Sequence, residues 1–117
     1  MADAEKAGRQ GGATIINVFT VPEGHQAEEL VALLRDITEQ VMRHQPGFRQ
    51  ATIHVSLDRT RVANYAEWES AEAFGQVMRS GVARSHMAEI DRLFPHDANI
   101  YQVVSVSNAD GEQLQGP

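Results

Sequence analysis

A chain of 117 residues suits one compact domain and leaves no room for a second, and a 42% hydrophobic content is enough for a core. The net charge of −6, from 10 basic and 16 acidic residues with no run of lysine or arginine, argues against nucleic acid or an anionic membrane as a partner. The lack of cysteine excludes disulfides, thiolate nucleophiles, zinc ribbons and iron–sulfur clusters.

Residues 1–12, MADAEKAGRQGG, are small and polar and contain no apolar signal region. They read as a flexible tail, as do residues 108–117, with one domain between them over 13–107. No apolar run nears the roughly 20 residues of a membrane span, so a soluble cytoplasmic protein is expected. The β-branched run ATIINVFTV predicts a strand over 13–21, closed by Pro22-Glu23-Gly24. Leu30, Leu34, Ile37 and Val41 then fall at helical spacing within 26–44, and Gln45-Pro46-Gly47 stops that helix. Two strands, 48–57 and 60–68, are joined by Asp58-Arg59 as a tight hairpin. Ser70 can cap a helix over 71–80, Gly81 interrupts it, and 82–94 continues helically to Pro95. A last strand is expected over 99–107. The order β-α-β-β-α-β predicts an α+β, ferredoxin-like fold, with an antiparallel sheet and the helices on one face.

A two-residue hairpin loop pairs Leu57 with Thr60, Val55 with Val62, Ile53 with Asn64, Ala51 with Ala66 and Arg49 with Trp68. Ala51, Ile53, Val55, Leu57, Val62, Asn64, Ala66 and Trp68 then share one face, apolar but for Asn64, which should meet the helices. The opposite face, with His54 and Tyr65, is semi-polar and left uncovered by two helices. A homodimer packed through its sheets would cover it, as a barrel of two sheets.

Asn64 is a poor strand former placed among apolar neighbours, and Asn17 interrupts the first strand in the same way between Ile15 and Phe19. Each reads either as a structural amide or as a hydrogen-bond donor aimed at a ligand oxygen in a cavity between sheet and helices. Trp68, the only tryptophan, is a core filler that could also wall such a cavity for an aromatic ligand. His86 is the best candidate proton acceptor and His96 could also reach the cavity. The histidines lack metal-ligand spacing, and no nucleotide or flavin signature is present, so neither metal nor cofactor is expected.

The stretch PGFRQATIHVSLDRTRVANYAEWESAEAF, residues 46–74, closely resembles the antibiotic biosynthesis monooxygenase family, nearest to the small oxygenases of aromatic polyketide pathways such as those of actinorhodin and nogalamycin. The resemblance implies oxidation of an anthrone-like polycyclic phenol, or a related quinol, to a quinone with O2 as co-substrate and no cofactor, in a homodimer. It assigns the reaction to Asn17, Asn64 and Trp68. Phe19, Phe74, Val77, Met78 and His86 are the residues expected around the substrate. The actinorhodin-type histidine on the second strand is matched by His54, whereas that group's tyrosine is replaced here by Phe74. The superfamily also contains haem-degrading enzymes, whose first-strand asparagine matches Asn17. Their helical tryptophan falls at Val77, however, and their haem histidine at Met87, one residue past His86. The same residues are compatible with a polyketide cyclase or with a non-catalytic dimer that sequesters an aromatic ligand.

Overall fold

The computed structural model describes residues 12–111 and 113–115; most of the expected N-terminal tail, residues 1–11, lies outside them. The β-branched and aromatic residues of the first run form β1 (Ala13–Thr20). The apolar stripe Ala27, Leu30, Leu34 and Ile37 is buried along α1 (Ala27–Gln40), with Glu28 and Glu29 at the positive end of its dipole. A 3-10 turn, Met42–His44, ends the helical stretch. The chain then reverses through Gly47 at φ +88, where an added Cβ would lie 2.6 Å from that of Ala73. Only glycine fits both that dihedral and that approach.

β2 (Phe48–Val55) and β3 (Arg61–Trp68) follow as an antiparallel pair. Two short helices come next, α2 (Ala71–Met78) and α3 (Gly81–Leu93). Their N-caps are Ser70 and Ser80, whose Oγ atoms accept the amides of Ala73 at 3.0 Å and Ala83 at 3.3 Å. β4 (His96–Tyr101) completes a four-stranded antiparallel sheet in the order β2-β3-β1-β4, with the ferredoxin-like element order.

Four sequence expectations change. The last strand begins at His96, three residues early, because Pro95 O accepts the Thr20 amide at 2.8 Å and starts the ladder with β1 there. It leaves the sheet after Tyr101, and the segment 105–107 instead forms β5 (Ser105–Ser107), paired with β6 (Gln113–Gln115) from the stretch read as a tail. In the β2–β3 hairpin the register is the expected one, with Val55 opposite Val62 and Ile53 opposite Asn64. Five residues, 56–60, however, separate the two strands, with the Ser56 amide donating to Arg61 O at 2.9 Å, and Leu57 is fully exposed rather than on the apolar face. The register is unchanged, so the residues from Gln50 to Val55 and from Val62 to Glu67 keep their faces. At the other end Phe48, not Arg49, stands opposite Trp68, because a bulge falls between Phe48 and Gln50.

Asp58 explains the wider loop. Its Oδ1 accepts from the Thr60 amide at 3.0 Å and from the hydroxyls of Ser56 and Thr60, both at 2.8 Å. These bonds, the Thr60 amide foremost, hold the carboxyl at about 2 against an ordinary 3.8. The folded value is the lower one, so the stabilisation is present above 3.8 and lost as the pH falls through about 2. In an amide NMR titration, Thr60 is expected to shift with a midpoint near 2, and Asp58→Asn to abolish that step.

Two apolar clusters fill the helix side of the sheet. One joins Phe19 and Val62 to α1 and α3 through Leu30, Leu34, Ile90 and Phe94. The other surrounds Trp68 with Ile15, Ala66, Val77 and Ala83. Between the Phe19–Val62 row and the Ile15–Ala66 row of the sheet lies the row Ile53–Asn64–Asn17–Ala98. Among the described residues, no helix is long and apolar enough to cross a membrane.

Candidate active site

Asn17 and Asn64 are directly opposite each other on β1 and β3, so two amides stand side by side on the helix face of the central strands. Alternation along each strand puts them there, flanked by Ile15 and Phe19 on one strand and by Val62 and Ala66 on the other. Above them a cavity of about 160 Å³ opens between sheet and helices. Its floor is the two amides with Ile15, Ala66 and Ala98; Met42, Met78 and Met87 close it from the helical side.

One wall is aromatic. Trp68 is 2% exposed and meets Phe48 edge-on at 5.3 Å and Phe74 at 5.6 Å. The bulge that skips Arg49 is what turns Phe48 toward this wall.

The Asn64 Oδ1 is buried and has no hydrogen-bond partner, the only such side-chain atom among the described residues. A buried carbonyl without a partner costs about 1–3 kcal/mol, so its persistence in a lined cavity points to an acceptor kept for a ligand. Asn17 is held differently. His96 Nδ1 lies 2.9 Å from Asn17 Oδ1, and His96 Nε2 lies 2.6 Å from Asp91 Oδ1. The imidazole thus bridges a carboxylate on α3 to the amide on β1. Phe19 stacks against the ring at 5.1 Å and fixes its plane. Asp91 and His96 are the ionisable side chains among the residues lining the cavity.

Asn17, Asn64, Trp68, Phe74 and Met78 therefore meet at one cavity, as the sequence suggests. Phe19, Val77 and His86 do not line it. Phe19 is fully buried behind His96, and Val77 packs in the core around Trp68. His86 is exposed, its Nδ1 donating to Val82 O at 2.9 Å. It faces a groove toward α1, beside Asp36 and Glu89. At about 3.6 residues per turn, Met87 and Asp91 share the inward stripe of α3 with Ala83 and Ile90, and His86 falls off its far edge. Met87, where the haem branch carries its histidine, is the side chain that enters the cavity. His54 is exposed, opposite Ala63 on the helix-free side of the sheet. Sequence reading missed Phe48, Met42 and the Met87–Asp91 pair. The last of these was signalled by its i, i+4 spacing in register with Ala83.

A sequence profile described as Antibiotic biosynthesis monooxygenase matches residues 13–89. The chain belongs to this family. One relative, the tetracenomycin-F1 monooxygenase of Streptomyces glaucescens, is 46% identical over 61 residues, which is 52% of this chain and 54% of the relative. The chain thus spans about half the length of that curated relative. Among solved structures, SnoaB, a cofactor-independent oxygenase from Streptomyces nogalater, superposes with a TM-score of 0.73 at 21% identity, covering 82% of this chain and 96% of that one. Rv0793 from Mycobacterium tuberculosis gives a TM-score of 0.67 at 19% identity, over 84% and 98% of the two chains. These likenesses establish the ferredoxin-like fold of the family member described here.

Proposed function

We propose that this protein is a cofactor-independent monooxygenase that converts an anthrone-like polycyclic phenol, or a related quinol, to a quinone with O2. The observation that carries this reading is the unpaired, buried Asn64 carbonyl beside Asn17, in a cavity walled by Trp68, Phe48 and Phe74. A planar aromatic ligand fits such a wall, and an oxygen on its ring has two amides to meet. The names of the relatives, a tetracenomycin-F1 monooxygenase and a cofactor-independent oxygenase, support the same reading.

In the proposed reaction a proton leaves the activated ring carbon, and the negative charge is delocalised onto the ring carbonyl oxygen. The NH2 groups of Asn17 and Asn64 donate to that oxyanion, while the Asn64 Oδ1 accepts from a ring hydroxyl beside it, and such preorganised donors contribute about 2.7–4 kcal/mol each. The carbanion passes one electron to O2, and the radical pair combines to form a carbon–oxygen bond. The peroxide takes up a proton, the second ring C–H proton leaves, and the O–O bond breaks. One O2 and one CH2 thus become one C=O and one water, with the substrate as sole reductant. The test is oxygen uptake by the chelator-treated protein with dithranol, product being followed by absorbance. Saturable uptake above the spontaneous rate supports the reading. Uptake no faster than the spontaneous rate, together with tight haem binding that gives a Soret band, overturns it in favour of the haem branch.

The functional unit in this proposal is a homodimer packed through the helix-free faces of its sheets. That face carries Val18 and Tyr101, which are 39% and 46% exposed, with Ile16, Ala63 and Tyr65 half-buried between them. Sedimentation velocity is expected to give twice the chain mass of 12.9 kDa. Val18→Asp, which places a charge at the centre of that face, is expected to give the monomer. A monomeric parent protein would remove the dimer from the proposal.

A further inference from the structure

Of the two histidines that the sequence offers the cavity, His96 lines it and His86 does not. His96 touches Asn17 through one ring nitrogen and Asp91 through the other. Asp91 accepts from Nε2–H in either charge state of the ring. The Asn17 contact must therefore reverse when the ring gains a proton. A neutral ring has a lone pair at Nδ1, which takes an N–H of Asn17 and leaves Oδ1 toward the cavity. A doubly protonated ring donates Nδ1–H to Oδ1 and leaves the NH2 toward the cavity.

We infer that Asp91 and His96 form a proton-accepting pair that ionises a bound phenol, the same proton turning the Asn17 amide so that its NH2 meets the phenolate oxygen. This rests on the functional reading above, which it deepens by naming the acceptor and the ligand group it serves. The transfer balances without a redox partner: the Asn17 N–H releases the Nδ1 lone pair as the amide turns, the phenol O–H breaks, its proton joins His96 Nδ1, and the negative charge stays on the ligand oxygen. The same proton is available to the peroxide later in the reaction. Asn17 is then a carbonyl acceptor for the arriving phenol and an amide donor for the anion it becomes.

The electrostatic surroundings of the ring are simple. Asp91 on α3 is its charged neighbour at bonding distance. β1 contributes Asn17 and Phe19 and carries no ionisable side chain. The lining side chains from α1, α2, β2 and β3 are uncharged, and Asp97, next along β4, points to the opposite face of the sheet. The His96 side chain is 25% exposed and that of Asp91 51%, so the pair can exchange its proton with solvent between turnovers.

The probe is the dihydroxyanthraquinone formed from dithranol, which is phenolic and cannot be oxidised further in this way. Its phenolate band is followed against pH, free and with saturating protein. The parent protein is expected to ionise it at least about one pH unit below the free compound. His96→Gln is expected to remove that shift and Asp91→Asn to reduce it, while His86→Gln, outside the cavity, keeps it. Near-UV circular dichroism establishes that each variant is folded. The second readout needs no ligand: the Asn17 side-chain NH2 resonances are expected to move with the His96 ring titration and to lose that response in Asp91→Asn and His96→Gln. A bound probe that ionises at the same pH in the parent and His96→Gln proteins overturns the inference, as does an Asn17 amide that ignores the ring. Failure of the probe to bind, with the Asn17 response intact, counts instead against the functional reading.

Discussion

Asn64→Ala is expected to lower dithranol turnover by about 100- to 1,000-fold, the loss typical of one oxyanion donor, while KM changes little. The amide is buried beside Asn17 and its Oδ1 has no partner in the folded chain, so its polarity serves nothing in the fold itself. Removing an unsatisfied buried acceptor relieves a cost of about 1–3 kcal/mol, partly offset by the lost packing of the amide. The variant should therefore be as stable as the parent or slightly more so in urea, and catalytically crippled. Opposite signs for stability and activity mark a residue kept for chemistry. Stopped-flow turnover and a urea melt on the same preparation decide it. Loss of stability with activity intact would make Asn64 a structural amide, and a change in affinity alone would favour a dimer that only sequesters its ligand.

Trp68→Ala is expected to destabilise the chain by about 3–5 kcal/mol, the range for removing a buried large aromatic. Trp68 is 2% exposed, joins Ala13, Ile15, Ala66, Val77 and Ala83 in one cluster, and holds Phe48 and Phe74 edge-on. Against a total of about 5–15 kcal/mol for a domain, that loss leaves part of the population unfolded. It is read by urea unfolding with far-UV circular dichroism, because the variant has no tryptophan to report fluorescence. Trp68→Phe retains most of the burial and separates the two roles. If Trp68 also holds the substrate ring, Trp68→Phe lowers turnover with a small change in midpoint. A midpoint for Trp68→Ala within about 1 kcal/mol of the parent would mean that the cavity collapses onto the lost volume.

The sheet was legible because its patterns are local. Alternation along 48–57 and 60–68 carries its own register, and lengthening the connection from two residues to five left Asn64 on the helix face because Val55 still pairs with Val62 and Ile53 with Asn64. The serine caps of α2 and α3 and the stop at Gly47 were equally readable, each being a property of a few adjacent residues. His86 was misread for a related reason. The helix was visible in the sequence, but which edge of its stripe meets the cavity depends on the neighbour it packs against.

By itself the sequence determined the βαββαβ order and the face of the central residues of its first three strands, and therefore that Asn17, Asn64 and Trp68 share one side of a small sheet. Period two and period 3.6 are written in the chain and need no partner. Only the tertiary structure decided that β1 and β3 are neighbours with Asn17 opposite Asn64. It also decided that a bulge turns Phe48 against Trp68, and that Asp91, His96 and Asn17 meet although 74 and 79 positions of chain separate Asn17 from the other two. Those contacts join residues far apart in the chain, and their geometry comes from strand order and packing, which no local spacing encodes.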